Sequence, residues 1–185
     1  DDDNDSHIAS RGTHDNRTSP PLSHERVVLV MADSQEIELA FYPTVAPLTV
    51  KHILELFRNG LYESDNFFRI DKGFVAQVSE VSRRRIPVPD ELKALAAQTV
   101  PGEFVHQNFG QDGTGAGPVV KHVEGVLSLA RFDDPNSGAS SFSIMLGAAP
   151  HLDRQYTVFG EVVRGMDVVK QWQYLETRQE VSRKE

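Results

Sequence analysis

Residues 67–77 read Phe-Phe-Arg-Ile-Asp-Lys-Gly-Phe-Val-Ala-Gln, and this stretch decides how the chain is interpreted. Successive side chains of a strand alternate between its two faces, so Arg69 shares a face with the residues two and four positions away. Lys72-Gly73 predicts a turn, after which Phe74 begins an apolar run that ends in the amide Gln77. The pattern predicts a cation at the rim of an apolar slot, but it also fits an ordinary amphipathic hairpin with one surface arginine.

Length and charge limit the function classes. The chain has 185 residues, with 27 acidic and 19 basic side chains and a net charge of -8. This length suits one domain whose core needs no disulfide or metal. The net charge would repel a phosphate backbone, and the one basic run is Arg83-Arg84-Arg85, so we do not expect a nucleic-acid partner. No apolar run approaches the ~20 residues that cross a bilayer, so no membrane span is expected.

Two features bear on the compartment. The chain begins with Asp1 and not Met, as it would after removal of a leader, and Asn16-Arg17-Thr18 fits the acceptor pattern for N-glycosylation at Asn16. The absence of cysteine carries no information, because disulfides are optional at this length. The features favour the secretory pathway or another organelle lumen, with the cytoplasm and a plastid as alternatives.

The chain divides into a tail, a domain and a second tail. Residues 1–24 hold few aliphatic side chains, which predicts a disordered acidic and polar tail. The domain is predicted over residues 25–178 with an insertion at about 78–124, and 179–185 form a charged C-terminal tail. Short strands flanked by helices, without a strand-helix repeat, predict a mainly β antiparallel barrel or sandwich. The predicted strands lie at 27–31, 36–41, 66–77, 125–130, 141–146 and 156–162, and the predicted helices at about 47–58, 90–97 and 166–175.

Three ordered blocks resemble the cyclophilin-type peptidyl-prolyl cis-trans isomerases, and the resemblance extends from about Glu25 to Lys170. The stretch quoted above matches the family pattern Phe-x-Arg-x-x-x-Gly-Phe-x-x-Gln. Residues 125–144, with Ala130-Arg131, resemble bacterial-type members. Residues 151–160 are similar to the family run Trp-Leu-Asp-x-x-His-x-Val-Phe-Gly, and the long insertion is similar to that of plant and algal members.

The resemblance implies an eight-stranded antiparallel β-barrel capped by two α-helices. Family members usually end in a further strand, whereas residues 175–185 are charged and lack an alternating apolar run. Either the last strand is missing or the sequence is truncated. An open sheet edge would need a partner, because unpaired edges invite association.

The resemblance also implies a site and its partners. Arg69 would hydrogen-bond toward the proline nitrogen as the electrostatic catalyst, with Phe74 and Gln77 beside it. No cofactor or metal is implied, and the partners would be proline-containing peptides or unfolded proteins. The implied substrate-binding residues are Val75, Ala130, Arg131, Ser141, Phe142, Ser143, His151, Leu152 and Tyr156.

The alignment of residues 141–144 decides how deep the proline pocket is. Counting back from Leu152 without a gap, Ser143 replaces the aromatic residue that lines the pocket, and Phe142 faces the core. In the other register Phe142 lines the pocket and Ile144 leaves the core. The gapless register predicts a shallower pocket. His151 stands where drug-sensitive members have tryptophan, which predicts weak cyclosporin binding.

Two other sets of residues contain side chains that could catalyse hydrolysis or bind calcium. Ser140 or Ser141 with His151 and Asp153 has the residue types of a hydrolytic triad, but the chain has no Gly-x-Ser-x-Gly elbow. Asp133-Asp134 and Asp153 fit turns better than a calcium loop. The sequence therefore predicts a prolyl isomerase that assists protein folding, with reduced activity if the serines weaken the pocket. The alternative is a catalytically weak proline-peptide-binding or chaperone-like scaffold module.

Overall fold

The computed structural model describes residues 20–104 and 120–175. The glycosylation candidate Asn16, the glycine-rich part of the insertion and the charged C-terminal tail lie outside these ranges. The strands are β1 (Arg26–Val30), β2 (Glu36–Phe41), β3 (Phe67–Asp71), β4 (Val75–Val78), β5 (Val126–Leu129), β6 (Phe142–Met145) and β7 (Val158–Arg164). The α-helices are α1 (Pro47–Arg58), α2 (Lys93–Ala97) and α3 (Met166–Gln171).

All the strand pairs are antiparallel, and the order across the sheet is β1-β2-β7-β5-β6-β4-β3. The sheet curls into a half-barrel, which confirms the mainly β, cyclophilin-like fold. Seven of the eight expected strands fall within residues 20–104 and 120–175, and β1 and β3 are the edges of the sheet.

The main core lies on the inner face of this curl, against α1. In β2 the period-2 alternation places Ile37, Leu39 and Phe41 inside, and all three are fully buried. Helix α1 contributes an apolar stripe that includes Ile53 and Leu56, which are also fully buried. Helix α1 and the inner side chains of the sheet therefore belong to one cluster.

The first turn of α1 is capped from a distance. Pro47 occupies the first turn, where its missing N–H costs nothing. The backbone N–H groups of Leu48 and Thr49 donate to the carboxylate of Glu103, at 3.3 and 2.7 Å. A carboxylate at this end satisfies orphan donors and complements the helix dipole. The predicted insertion thus stabilises the start of a core helix.

The turn between β3 and β4 requires glycine. Gly73 has a φ of +72°, in the left-handed region that other residues adopt only with strain. A Cβ on the neighbouring Gly147 would lie 2.4 Å from the carbonyl oxygen of Gly73, so the loop after β6 packs directly on this turn. The position of Phe74, which follows the turn, is therefore fixed by backbone packing from two segments.

Two predicted helices are interrupted. The one expected at 90–97 is a single 3-10 turn, Asp90–Leu92, followed by α2, and Gln98 ends it by adopting an extended conformation. The one expected at 166–175 is α3 followed by a 3-10 turn, Trp172–Tyr174. None of the helices in the described part of the chain has both the length and the apolar character needed to cross a membrane.

Candidate functional site

A row of polar residues crosses the outer face of the sheet. Arg69 of β3 is paired with Gln77 of β4, Gln77 with Ser143 of β6, and Ser143 with Ser128 of β5. Directly paired residues of antiparallel strands point to the same face of a sheet. Strand pairing therefore places the predicted catalytic arginine in line with Ser143 and Ser128.

Arg69 lies at the exposed end of this row. Its guanidinium carbon is 5.7 Å from the centroid of the Phe74 ring, within cation–π range. One Nη donates to the side-chain oxygen of Gln77 at 3.4 Å, and the other lies 3.2 Å from the carboxylate of Asp71. Both side chains of the Asp71 pair are about half exposed, at 47% and 50%, and exposed pairs contribute little to stability. The guanidinium is therefore held in place but can exchange these acceptors for one on a peptide.

An apolar notch adjoins the guanidinium. The Phe74 ring stacks on the imidazole of His151 with centroids 5.7 Å apart. Phe74 and Leu152 both pack against a second apolar cluster on this face of the sheet. Val75 belongs to that cluster and is only 3% exposed, so it lies beneath the notch residues, and its contact with substrate stays a prediction.

Arg131 forms part of the opposite wall of the groove. Its guanidinium carbon lies 4.4 Å from the Tyr156 ring centroid and 5.7 Å from that of Phe104. Its Nε and Nη2 donate to the carbonyl of Gln155 at 2.9 and 2.7 Å. Arg131 is thus fixed by protein groups. The N–H of the neighbouring Ala130 donates to the carbonyl of Ser141 at 3.0 Å, and a bond from this edge to a substrate backbone stays a prediction.

The beginning of the insertion supports this wall. The N–H of Gly102 donates to the side-chain oxygen of Asn136 at 3.0 Å, and the N–H of Glu103 donates to the hydroxyl of Thr157 at 2.9 Å. Phe104, 7% exposed, packs under the guanidinium of Arg131. Residues 100–104 therefore link a core helix to the groove wall.

Strand β6 faces the core with Phe142 and the groove with the serines. Phe142 is 1% exposed, and its ring makes edge contacts with Tyr62 and Phe159 at centroid distances of 5.7 and 5.8 Å. Phe142 is therefore a core residue, and its predicted place among the substrate-binding residues is wrong. The hydroxyl of Ser141 donates to the carbonyl of Val78 at 2.6 Å and accepts from the amide of Gln77 at 3.0 Å. Alternation in β6 thus agrees with the gapless register.

Two concave regions differ in chemistry. A cavity of about 370 Å³ adjoins the polar row and is lined by Gln77, Ala130, Arg131 and Ser141 among others. A larger one, about 820 Å³, lies between the sheet edges β1 and β3 and is lined mainly by aliphatic and aromatic side chains. Neither cavity is lined by Arg69 or Phe74, but the smaller one is lined by Gln77, which accepts a hydrogen bond from Arg69. This bond connects the smaller cavity, and not the larger one, to the notch.

A buried histidine that sequence reasoning missed continues the polar row. His122 is 1% exposed, and its Nε2 is 2.8 Å from the hydroxyl of Ser128. Its Nδ1 is 2.9 Å from the carboxylate of Asp153, which was interpreted as a turn residue. Burial lowers the pKa of His122, and the Asp153 hydrogen bond opposes that effect. The sequence feature that could have indicated such a residue is Ser128, because a hydroxyl inside an apolar strand is buried and needs a hydrogen-bond partner.

The fold and the site together define a class of protein. A curled antiparallel sheet carries, on its outer face, an arginine beside an aromatic notch and an amide. The chain belongs to the family described as "Cyclophilin type peptidyl-prolyl cis-trans isomerase/CLD", whose model matches residues 24–185. The predicted family is confirmed.

Named relatives agree with this assignment. The chain is 48% identical over 162 residues to "Peptidyl-prolyl cis-trans isomerase CYP23" of Arabidopsis thaliana, covering 87% of this chain and 66% of that protein. The crystal structure of cyclophilin AquaCyp293 from Hirschia baltica matches with a TM-score of 0.63 and 25% identity, covering 78% of this chain and 66% of that one. A Cryptosporidium parvum cyclophilin, crystallised in the presence of the dipeptide ala-pro, matches in fold with a TM-score of 0.64 and 18% identity, over 84% of this chain and 89% of that one.

Proposed function

We propose that this protein catalyses cis-trans isomerisation of X-Pro peptide bonds, with Arg69 as the catalytic residue. The family and the names of the relatives support this activity and do not favour the alternative, a catalytically weak binding module. The observation that carries the proposal is the guanidinium of Arg69, which lies 5.7 Å from the Phe74 ring centroid at the rim of the notch.

The chemistry needs no covalent step. Resonance gives the prolyl amide partial double-bond character and a rotation barrier of ~20 kcal/mol. A donor aimed at the proline nitrogen favours the pyramidal form of that nitrogen, which exists only when resonance is broken. Arginine suits this role because its guanidinium stays protonated at all working pH values. The donor therefore stabilises the twisted state more than the planar ground states, which is what lowers the barrier.

The remaining groups position the substrate. The proline ring would lie in the notch formed by Phe74 and Leu152, while Gln77 holds the guanidinium at 3.4 Å. The amide of Gln77 is itself fixed by the hydroxyl of Ser141. Ser143 supplies no aromatic surface, so we expect a shallow pocket with weak affinity for peptides and for cyclosporin. The acidic net charge gives no support to a nucleic-acid partner.

We also propose a lumenal location, supported by the acceptor pattern at Asn16. Expression of the full chain in a eukaryotic cell, followed by treatment with a glycosidase, tests it. An increase in gel mobility after treatment, absent in Asn16→Gln, is expected, and an unchanged mobility in both proteins would argue for another compartment.

The activity is tested with the Arg69→Ala variant and a short X-Pro peptide, by a protease-coupled assay or NMR line shapes. Loss of an electrostatic donor predicts a fall in kcat/KM of about 10²- to 10³-fold. The midpoint of thermal unfolding should change little, because Arg69 is half exposed and its ion pair lies on the surface.

Arg164→Ala is the matched control. Arg164 is also an exposed arginine, 52% exposed and 3.2 Å from a carboxylate, that of Glu36, but it lies at the end of β7. Its kcat/KM should equal that of the unmodified protein. Undiminished catalysis in Arg69→Ala would reject the mechanism, and peptide binding without rate enhancement in the unmodified protein would support the scaffold alternative.

A further inference from the structure

Three hydrogen bonds join His122 to the segment that carries one wall of the notch. Its Nδ1 and its backbone N–H both reach the same carboxylate oxygen of Asp153, at 2.9 and 2.7 Å. Its carbonyl accepts from the N–H of Ala149 at 3.0 Å. The bonds therefore hold both ends of residues 149–153, a short segment with one 3-10 turn. His151 and Leu152 lie within it.

The far side of the imidazole is attached to the sheet. Nε2 lies 2.8 Å from the hydroxyl of Ser128, which belongs to the polar row that includes Ser143, Gln77 and Arg69. Asp153 offers only acceptors, so Nδ1 carries the proton and donates to it, and the neutral ring accepts from Ser128 at Nε2. The ring thus bridges the row to the wall segment.

His122 itself cannot touch a substrate. It is 1% exposed and Ser128 is 4% exposed, so the Ser-His-Asp arrangement gives no solvent-accessible nucleophile. Any effect on the reaction must pass through the groups that His122 holds. Those groups are the notch residues Leu152 and His151, and the latter stacks on Phe74.

We propose that His122 is a positioning residue of the prolyl-peptide site: through Asp153 it sets the distance between the Leu152 wall and the Phe74 wall of the notch. This inference rests on the proposed function of the same site. The bond from Nδ1 to Asp153 is the part that matters for the substrate, because it reaches the wall segment. The bond from Nε2 to Ser128 anchors the ring to the sheet and contributes to stability.

Two substitutions separate these bonds. In His122→Asn the amide nitrogen occupies the place of Nδ1 and can still donate to Asp153, whereas Ser128 loses its partner. In His122→Gln the amide oxygen reaches the place of Nε2 and can still accept from Ser128, and the donor to Asp153 is lost. Each variant keeps one bond and the backbone contacts, so we expect similar small decreases in unfolding midpoint for both.

The kinetic readout differs between the two variants. His122→Asn should keep KM within about twofold of the unmodified protein, and His122→Gln should raise KM about five- to tenfold, because a charge-assisted bond that fixes the wall is lost. In both variants kcat should change less than about twofold, because Arg69 and Gln77 are untouched. Rescue by asparagine and not by glutamine is a readout that a purely structural role does not give.

The outcomes separate this inference from the proposed function. Equal KM values in the two variants, at equal unfolding midpoints, would overturn the positioning role while leaving the isomerase proposal intact. If the unmodified protein shows no rate enhancement, the isomerase proposal fails, and the dissociation constant of the same X-Pro peptide is measured by NMR titration instead. Weaker binding in His122→Gln than in His122→Asn would then support the positioning role, and equal binding would overturn it.

Discussion

The two sides of the groove are built differently. On the β3–β4 side, Arg69, Phe74 and Gln77 match the family pattern, and the guanidinium lies beside the ring and the amide. On the β6 side the side chains are small hydroxyls, Ser141 and Ser143, and Ser143 stands where the resemblance implies an aromatic ring. The charge donor has no substitute, because no neutral group supplies the same electrostatic stabilisation. By contrast, the apolar contribution to proline binding scales with the buried area, so a smaller pocket weakens binding without abolishing it.

The hydroxyl of Ser141 stabilises the side chains on the β3–β4 side of the groove. It accepts from the amide of Gln77, which in turn accepts from Arg69, so the residue just before β6 helps to orient the proposed catalytic residue of β3. One groove can therefore have less aromatic surface on one side while its polar network is maintained across the sheet. The aromatic ring that remains on β6, that of Phe142, serves the core.

The largest effect should come from breaking the core face of β6. Phe142→Ala removes a fully buried ring that contacts Tyr62 and Phe159, and we expect a loss of about 3–5 kcal/mol in the free energy of unfolding. Ser143→Ala on the groove face should lose less than about 1 kcal/mol. Urea unfolding of both variants measures the contrast, and equal losses would show that the two faces are not divided as described.

A smaller effect should come from restoring the missing wall. Ser143→Phe adds aromatic surface on the groove face, next to Gln77 in the register. We expect KM for an X-Pro peptide to fall about three- to tenfold while kcat is unchanged, since the ring adds grip and leaves Arg69 untouched. Kinetics measured alongside the unfolding midpoint check this result. An unchanged or higher KM in a folded variant would show that this position does not line the pocket.

The smallest expected effect is the loss of stability when the pH is lowered. His52 on α1 and His122 beside the groove are both buried, and burial lowers the pKa of each below its ordinary value of 6.5. The unfolded chain therefore binds protons that the folded protein does not, so stability is full above pH 6.5 and is lost as the pH falls through the range just below it. Burial raises the pKa of Asp65 above 3.8, which acts with the opposite sign in a more acidic range.

The unfolding midpoint, measured from about pH 7.5 down to pH 5.5, should therefore decline as the histidines of the unfolded state take up protons. His122→Asn removes one of the two contributions and should flatten the decline. A midpoint that rises on acidification in this range would contradict the sign. The difference between His122→Asn and the unmodified protein also gives the part of this decline that His122, and not His52, contributes.

Local sequence predicted the arginine side well. Arg69, Phe74 and Gln77 lie within one hairpin, where strand alternation and a glycine turn determine which side chains meet. The same alternation predicted that Phe142 and Ser143 face opposite ways. The residues that bury Val75, such as Ala149, come from a distant loop. Alternation gives the face of a residue and not what covers it.

Contacts between distant segments could not be predicted in this way. His122 and Asp153 are 31 positions apart, and Thr49 and Glu103 are 54 apart. The periodicity of a single helix or strand predicts neither contact, because the two residues of each pair belong to different segments. Each bond forms only after the sheet has curled and the loops have packed against it.

The sequence by itself determined the family, the mainly β fold and the identity of the arginine, because period-2 alternation and three spaced motifs are properties of the chain order. The tertiary structure alone decided which polar groups meet: the hydroxyl of Ser141 with the amide of Gln77, the buried ring of His122 with Ser128, and the carboxylate of Glu103 with the start of α1. The physical reason is that a buried polar group must find a partner wherever folding brings one within about 3 Å, and sequence distance does not limit that choice.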